Sequence, residues 1–249
     1  MKTLYIVLFA LSLQMTATAS PSLKVDADSA YIKENYQEAA SLYEKVLEEG
    51  HSSEVYYNLG NCYYRLEKIG PAVLNYERAL LLNPGDGNIR HNLELARSKT
   101  LDKISPIGEI FIVTWYKEVI NWLSVDQWAT LGVICFILLL IMICLYLFAK
   151  QITVRKIGFY SSILLILACI LSNFFAWNQK YILLNRSTAV VMSISVNVKS
   201  TPSENGTDLF VIHEGTKVTI IDPTMKGWKE IRLDDGKNGW IPTESIEEI

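Results

Sequence analysis

The stretch ATLGVICFILLLIMICLYLFA, residues 129–149, carries no charge over 21 positions and decides the architecture of the chain. A second stretch of the same kind, IGFYSSILLILACILSNFFAW, occupies residues 157–177. At a rise of about 1.5 Å per residue, each is long enough to cross a hydrocarbon layer of ~30 Å. A buried helix of a soluble protein normally shows a polar stripe, and neither stretch has one. Both are read as transmembrane helices surrounded by membrane lipid. No ionisable residue falls within either span, which removes the usual sign of a proton or ion path.

Between the spans, residues 150–156 carry Lys150, Arg155 and Lys156 and no acid. Short basic loops stay in the cytoplasm. The outer ends carry Asp126, Trp128, Trp177 and Tyr181, which suit the opposite interface. Residues 1–19 give a second, independent orientation signal. Lys2 precedes an apolar core from Leu4 to Leu13, and Ala17-Thr18-Ala19 supplies small residues at a cleavage site. That run is too short to span and reads as a cleaved signal peptide. The two signals agree: the loop is inside, and the flanking segments lie together on the non-cytoplasmic side.

Half of the residues are hydrophobic and a fifth are charged, so lipid-facing and soluble parts are segregated along the chain. The net charge is −3, from 23 basic and 26 acidic residues, and nucleic acid is not an expected partner. Cys62, Cys135, Cys144 and Cys169 show no C-x-x-C spacing and read as buried small hydrophobes. His51, His91 and His213 are scattered, and there is neither a phosphate-cradling loop nor a nucleophile elbow. Asp234-Asp235 sits in an expected turn. No catalytic residue, metal or cofactor is expected, and the reading is a binding protein rather than an enzyme.

Upstream of the spans, YQEAASLYEKVLEEG from Tyr36 aligns with IGPAVLNYERALLLNPG from Ile69. Ala39 falls on Ala72, Tyr43 on Tyr76, Glu44 on Glu77 and Val46 on Ala79, each at a shift of 33. Gly60 and Ala72 are small where antiparallel helices approach, and Pro84 ends a helix. With Tyr56, Leu59, Tyr63, Tyr76 and Ala79, the pattern resembles the tetratricopeptide repeat. In the first unit Ala27 and His51 stand in place of glycine and proline. A helix from Asn88 to about Lys99 has no partner of its own and reads as the cap that closes an α-helical solenoid over residues 20–104.

The resemblance implies a peptide-binding groove lined by Asn58, Asn61, Tyr64, Arg65, His91 and Asn92. The plainer alternative is a solvated polar face. The lysine-and-asparagine clamp of some relatives is not reproduced, since Asp28 and Glu54 stand near its place.

Residues 106–128 carry Phe111, Trp115, Tyr116, Trp122 and Trp128 and read as an interfacial amphipathic helix, or else a linker helix packed on the repeats. Trp115 and Trp122, seven apart, would share a face. Ser124 reads as an N-cap for the first span.

From Thr188 the chain breaks into five or six strand-sized runs separated by turn residues, the signature of a small β-barrel. Val196-Asn197-Val198-Lys199, Pro202, Gly215-Thr216-Lys217-Val218, Gly227-Trp228 and Gly239-Trp240-Ile241-Pro242 follow the order of landmarks in the bacterial SH3-like domain, which this region, 188–249, resembles. Trp228 and Trp240 are either a docking surface for wall peptide or core residues.

The order leader, repeats, two spans and SH3-like region, together with NPGDGNIRHNLELARSKTLDKI (83–104), resembles the E-type proteins of the Bat aerotolerance operon of Bacteroidetes. This implies a multi-pass inner-membrane protein with periplasmic domains, near von Willebrand A-domain membrane proteins and a MoxR-type ATPase. The expected role is a scaffold that binds envelope proteins. The alternatives are an envelope sensor that binds peptidoglycan through its SH3-like domain, and redox chemistry at Cys62.

Overall fold

Small and apolar side chains recur every three or four positions before residue 100, giving each helix one stripe to bury. Five helices follow: α1 (Pro21–Ile32), α2 (Tyr36–Glu49), α3 (Ser53–Arg65), α4 (Ile69–Leu82) and α5 (Gly87–Ser98). The structure is a computed structural model that describes residues 21–105, 107–108 and 110–249. The leader expected over 1–19 lies outside the described residues. Ala27, Ala39, Tyr43, Leu59 and Cys62 bury one layer between α1, α2 and α3, and Ala72, Tyr76, Leu93 and Ala96 bury the next. The turns within the two helix pairs match as well. Glu34 and Glu67 both adopt left-handed backbone, at φ 62° and 60°. The α5 cap is anchored by Asp86, whose carboxylate accepts from the N–H groups of Asn88 (2.8 Å) and Ile89 (3.4 Å).

The segment expected as one helix over 106–128 is broken. α6 (Phe111–Ile120) stops, the chain turns, and α7 (Val125–Phe148) begins. The cause lies in the carbonyls at the end of α6, which have no helical partners. The Ile120 oxygen accepts from Trp128 Nε1 (2.9 Å) and Gln179 Nε2 (2.6 Å), and the Leu123 oxygen accepts from Gln179 Nε2 (2.8 Å). Ser124 and Gln127 then form a reciprocal capping box that starts α7. Trp122 therefore lies in the turn and shares no helical face with Trp115. Trp128, expected at an exposed interface, is buried with its ring 4.9 Å from that of Phe175.

α8 (Ile152–Leu184) packs antiparallel on α7, and both are apolar and long enough to cross a membrane. The crossing is close at Gly158, where an added Cβ would sit 2.9 Å from the Met142 carbonyl. The connection is shorter than the expected 150–156 loop and spans only residues 149–151. Arg155 and Lys156 fall in the first turns of α8, and Arg155 Nε donates to the Tyr146 carbonyl (3.2 Å) at the end of α7. Nothing between Trp177 and Leu184 breaks a helix, so α8 continues past the expected limit to within three residues of the first strand.

The strands are β1 (Thr188–Val191), β2 (Ser195–Lys199), β3 (Asp208–His213), β4 (Lys217–Asp222), β5 (Trp228–Arg232), β6 (Asn238–Pro242) and β7 (Ile246–Glu248). They form one antiparallel sheet in the order β3-β2-β6-β5-β4-β1-β7. Bulges at Val198/Lys199 and Ile220/Asp222 curve it around Val198, Val218, Ile231 and Ile241. Closure of the expected small barrel is not seen: β3 and β7 are the two edges of the sheet and do not pair. The edge at β7 is occupied from outside the sheet, because Arg78 of α4 donates to the Glu248 carbonyl and the Glu247 carboxylate.

Candidate functional site

The residues expected to line the groove lie on α3 and α5. Asn61 and Asn92 are brought together. Asn61 Oδ1 accepts from the Tyr76 hydroxyl (2.7 Å) and from Asn92 Nδ2 (2.9 Å), while Asn92 Nδ2 also donates to the Tyr57 hydroxyl (2.9 Å). These amides knit α3, α4 and α5 together. Asn58 stands beside Tyr43, whose hydroxyl donates to Asp28 Oδ1 (2.6 Å). Burial first, and then Asp28, push that phenol upward. Arg65 meets the Tyr31 hydroxyl, and Lys99 Nζ lies 4.1 Å from the Tyr64 ring centre. His91 is exposed. The outward chemistry of this face is thus a cation beside a phenol, next to a half-buried amide.

Trp228 and Trp240 are half-buried and take no part in the sheet's core, which Ile231 and Ile241 fill. Register explains why. Trp228 pairs with Pro242 and Glu230 with Trp240, so both indoles project from the face opposite Ile231 and Ile241, diagonal to one another. Lys199 is the direct neighbour of Trp240 across β2 and β6.

The strongest polar clusters lie where sequence reasoning placed nothing, on the seam between the helical repeats and the sheet. β1 is buried on both faces. Ala189 and Val191 enter the sheet's core, while Val190 joins Ile249 against Ala72, Val73, Leu74 and Leu93. At one point of the seam Glu77, with its side chain 5% exposed, accepts from Lys217 Nζ (2.8 Å) and pairs with Arg97. At another, Glu214 Oε1 accepts from the Gly70 N–H (2.9 Å).

The third point is Asp102, just after α5. Its carboxylate accepts from the His213 N–H (2.6 Å), the Thr216 hydroxyl (2.7 Å) and, at 2.8 Å, His213 Nδ1. Asp102 and Thr216 border a cleft of about 550 Å³ between α5 and the sheet, lined also by Arg97, Lys103 and Asp234. Burial pulls the Asp102 carboxyl upward, but the Thr216 and His213 donors outweigh it and hold the group below the usual carboxylate range.

A lowered carboxylate stabilises the fold fully above its unfolded value of about 4, and that contribution is lost as pH falls through the folded value. Asp102→Asn should therefore cost roughly 2 kcal/mol near neutrality. It should also flatten the acid limb of the melting temperature below about pH 4. Melting curves of the two proteins across pH 3–7 read both effects, and a parallel acid limb in the variant would rule the carboxylate out.

Cys62 is fully buried, and burial pushes its thiol up to about 12, away from the thiolate that redox chemistry needs. All four cysteines are free; Cys135 is buried and Cys169 partly so. Cys144, expected to be buried, is exposed on the face of α7 turned away from α8.

Sequence clues to the seam were faint. Glu77 occupies the repeat position that Glu44 holds in the first unit, where the side chain is exposed and pairs with Tyr63. A repeated position reads as one environment, and only the sheet lying on α4 separates the two.

Comparison with curated proteins gives no match. Two family matches fall on the elements described above. Residues 53–86, the α3–α4 pair, match the tetratricopeptide repeat, and residues 194–247, from just before β2 into β7, match the bacterial SH3 domain. The chain therefore carries a tetratricopeptide repeat and a bacterial SH3 domain, kinds of domain that mediate protein–protein or cell-wall interaction.

Proposed function

We infer that the protein is a non-catalytic inner-membrane scaffold, with α7 and α8 as a spanning hairpin and both soluble parts on the periplasmic side. The observation that carries this reading is the shared seam. Repeats and sheet bury a common set of residues and stand as one unit at one end of an apolar hairpin. Large apolar side chains such as Phe136, Leu140, Leu147 and Leu164 point outward from the hairpin, an arrangement that suits lipid. The 33 residues of α8 extend about 50 Å and exceed a ~30 Å core, so the last turns leave the bilayer and set β1 above it. Phe111, Ile112 and Trp115 of α6 are exposed as well and suit the headgroup layer. Lys150, Arg155 and Lys156 at the opposite end fit the cytoplasmic side.

The order of parts, and its likeness to the Bat E-type proteins, supports a place in an aerotolerance or envelope-stress complex, with von Willebrand A-domain proteins as partners of the groove. Because the repeats share a core with the sheet, point variants test this better than deletions. Arg65→Glu, on the exposed rim of the groove, should remove partners from a pull-down of detergent-solubilised full chain. An unchanged partner set sinks the groove assignment. The outward pair Trp228 and Trp240 favours one second reading, a sensor that binds peptidoglycan. That reading requires Trp228→Ala with Trp240→Ala to abolish co-sedimentation with wall fragments.

A further inference from the structure

The end of the hairpin opposite the soluble unit carries charge that the chain does not balance. Lys150, Arg155 and Lys156 gather there, while no aspartate or glutamate occurs between Asp126 and Glu204. The 24 residues of α7 keep Asp126, and the soluble unit beyond it, roughly 35 Å away, several screening lengths. The counter-charge therefore comes from outside the chain. Two of the three cations border a cleft of about 320 Å³ between the last turn of α7 and the first turns of α8. Ile152, Arg155, Lys156, Phe159 and Tyr160 share one face of α8, and Tyr146 of α7 closes the other side. Arg155 is held in place: its Nε donates to the Tyr146 carbonyl (3.2 Å), and its guanidinium carbon lies 5.6 Å from the Tyr146 ring centre. The terminal nitrogens of that fork make no hydrogen bond among the described residues, and a planar fork suits the oxygens of a phosphate. Lys156 is exposed beside it and adds a second positive charge. Further along α8 the wall turns apolar, with the Phe159 ring 5.8 Å from that of Tyr146 and 5.5 Å from that of Tyr160. The same face continues through Ile163 and Leu167, which are 52% and 54% exposed. From the end of the hairpin inward, the order is cation, aromatic rim, aliphatic stripe.

We propose that this cleft binds an anionic phospholipid of the cytoplasmic leaflet, of the phosphatidylglycerol class. Its phosphate sits on the Arg155 fork and Lys156, and its acyl chains run along Phe159, Ile163 and Leu167. A zwitterionic headgroup brings the same phosphate but also an ammonium, which enters a region of positive charge with no carboxylate to receive it. The site rests on the membrane reading given above.

The test offers detergent-solubilised full chain equal amounts of phosphatidylglycerol and phosphatidylcholine with identical acyl chains, and counts retained lipid by native mass spectrometry. The glycerol lipid should be retained on the order of tenfold over the choline lipid, since each cation near an anionic headgroup contributes roughly a factor of five. Lys156→Gln should cut that ratio about fivefold. Arg155→Lys keeps the charge but loses the fork and its bond to Tyr146, and should cut the ratio as well. Lys150→Gln removes an equal charge outside the cleft and should leave the ratio nearly unchanged. Equal retention of the two lipids by the unaltered protein overturns the site. So do equal losses in the two lysine variants, or a full ratio in Arg155→Lys, because diffuse charge at the hairpin end would then select the lipid. If Arg155→Lys does not fold by circular dichroism, the two lysine variants decide. Alkaline carbonate extraction of the unaltered protein separates the site from the membrane reading. Release from the membrane defeats the spanning hairpin, while retention without a lipid preference defeats the headgroup site alone.

Discussion

Glu77→Ala should loosen the sheet from the repeats and cost about 2–3 kcal/mol, whereas Glu44→Ala at the matching repeat position should stay within about 0.5 kcal/mol. Removing one member of a buried ion pair typically costs roughly 3–5 kcal/mol, because the remaining charge is left unpaired in a poor solvent. Here the side chains left behind, Arg97 and Lys217, are 42% and 31% exposed and can turn toward water, which trims the loss. Thermal unfolding and limited proteolysis at the segment following α5 would read the two variants side by side. Equal losses at Glu44 and Glu77 would mean that the seam adds nothing at this position.

Gly60→Val should be the most damaging change within the helices. An added Cβ there would lie 2.7 and 2.8 Å from the Tyr76 ring, which is 1% exposed and tied to Asn61. The ring has nowhere to go, and a β-branched side chain adds two further carbons in the same gap. Overpacking of this kind costs about 1–3 kcal/mol and sometimes more, and valine should fall at or above the upper figure. Gly50→Ala is the control: nothing lies within 4 Å of its added Cβ, and its backbone is extended. A melting temperature for Gly60→Val that matches the Gly50 control would refute the close approach of α3 and α4.

What the sequence discloses here are features repeated along the chain or uniform over a long window. The 33-residue shift marks the helix pairs because each pair meets the same packing problem. The charge-free runs mark α7 and α8 because every position in them is constrained alike. Features set by a single distant contact leave no such trace. The end of α6 is fixed by Trp128 and by Gln179, which lies 59 positions from Ile120, and neither residue type announces that task. Trp128 reads as an interfacial aromatic until its N–H is seen on a backbone carbonyl. β7 has three residues, two of them acidic, and becomes a strand only because β1 is already there to pair with it. The groove residues show a further limit. Asn61 and Asn92 look like amides aimed at a ligand, and in the fold their donors and acceptors meet each other and two tyrosines.

Sharing a core across the chain also imposes a schedule on its birth. The face of α4 formed by Val73 and Leu74 is covered by Val190, 116 residues beyond Leu74, and by Ile249 beyond it. At a synthesis rate of roughly 5–20 residues per second, that face waits on the order of ten seconds for its cover. In the interval two long apolar helices emerge and must be dealt with first. The repeats are thus an unfinished surface through most of translation, and whatever shields them then is as much a condition of this fold as any contact in the finished molecule.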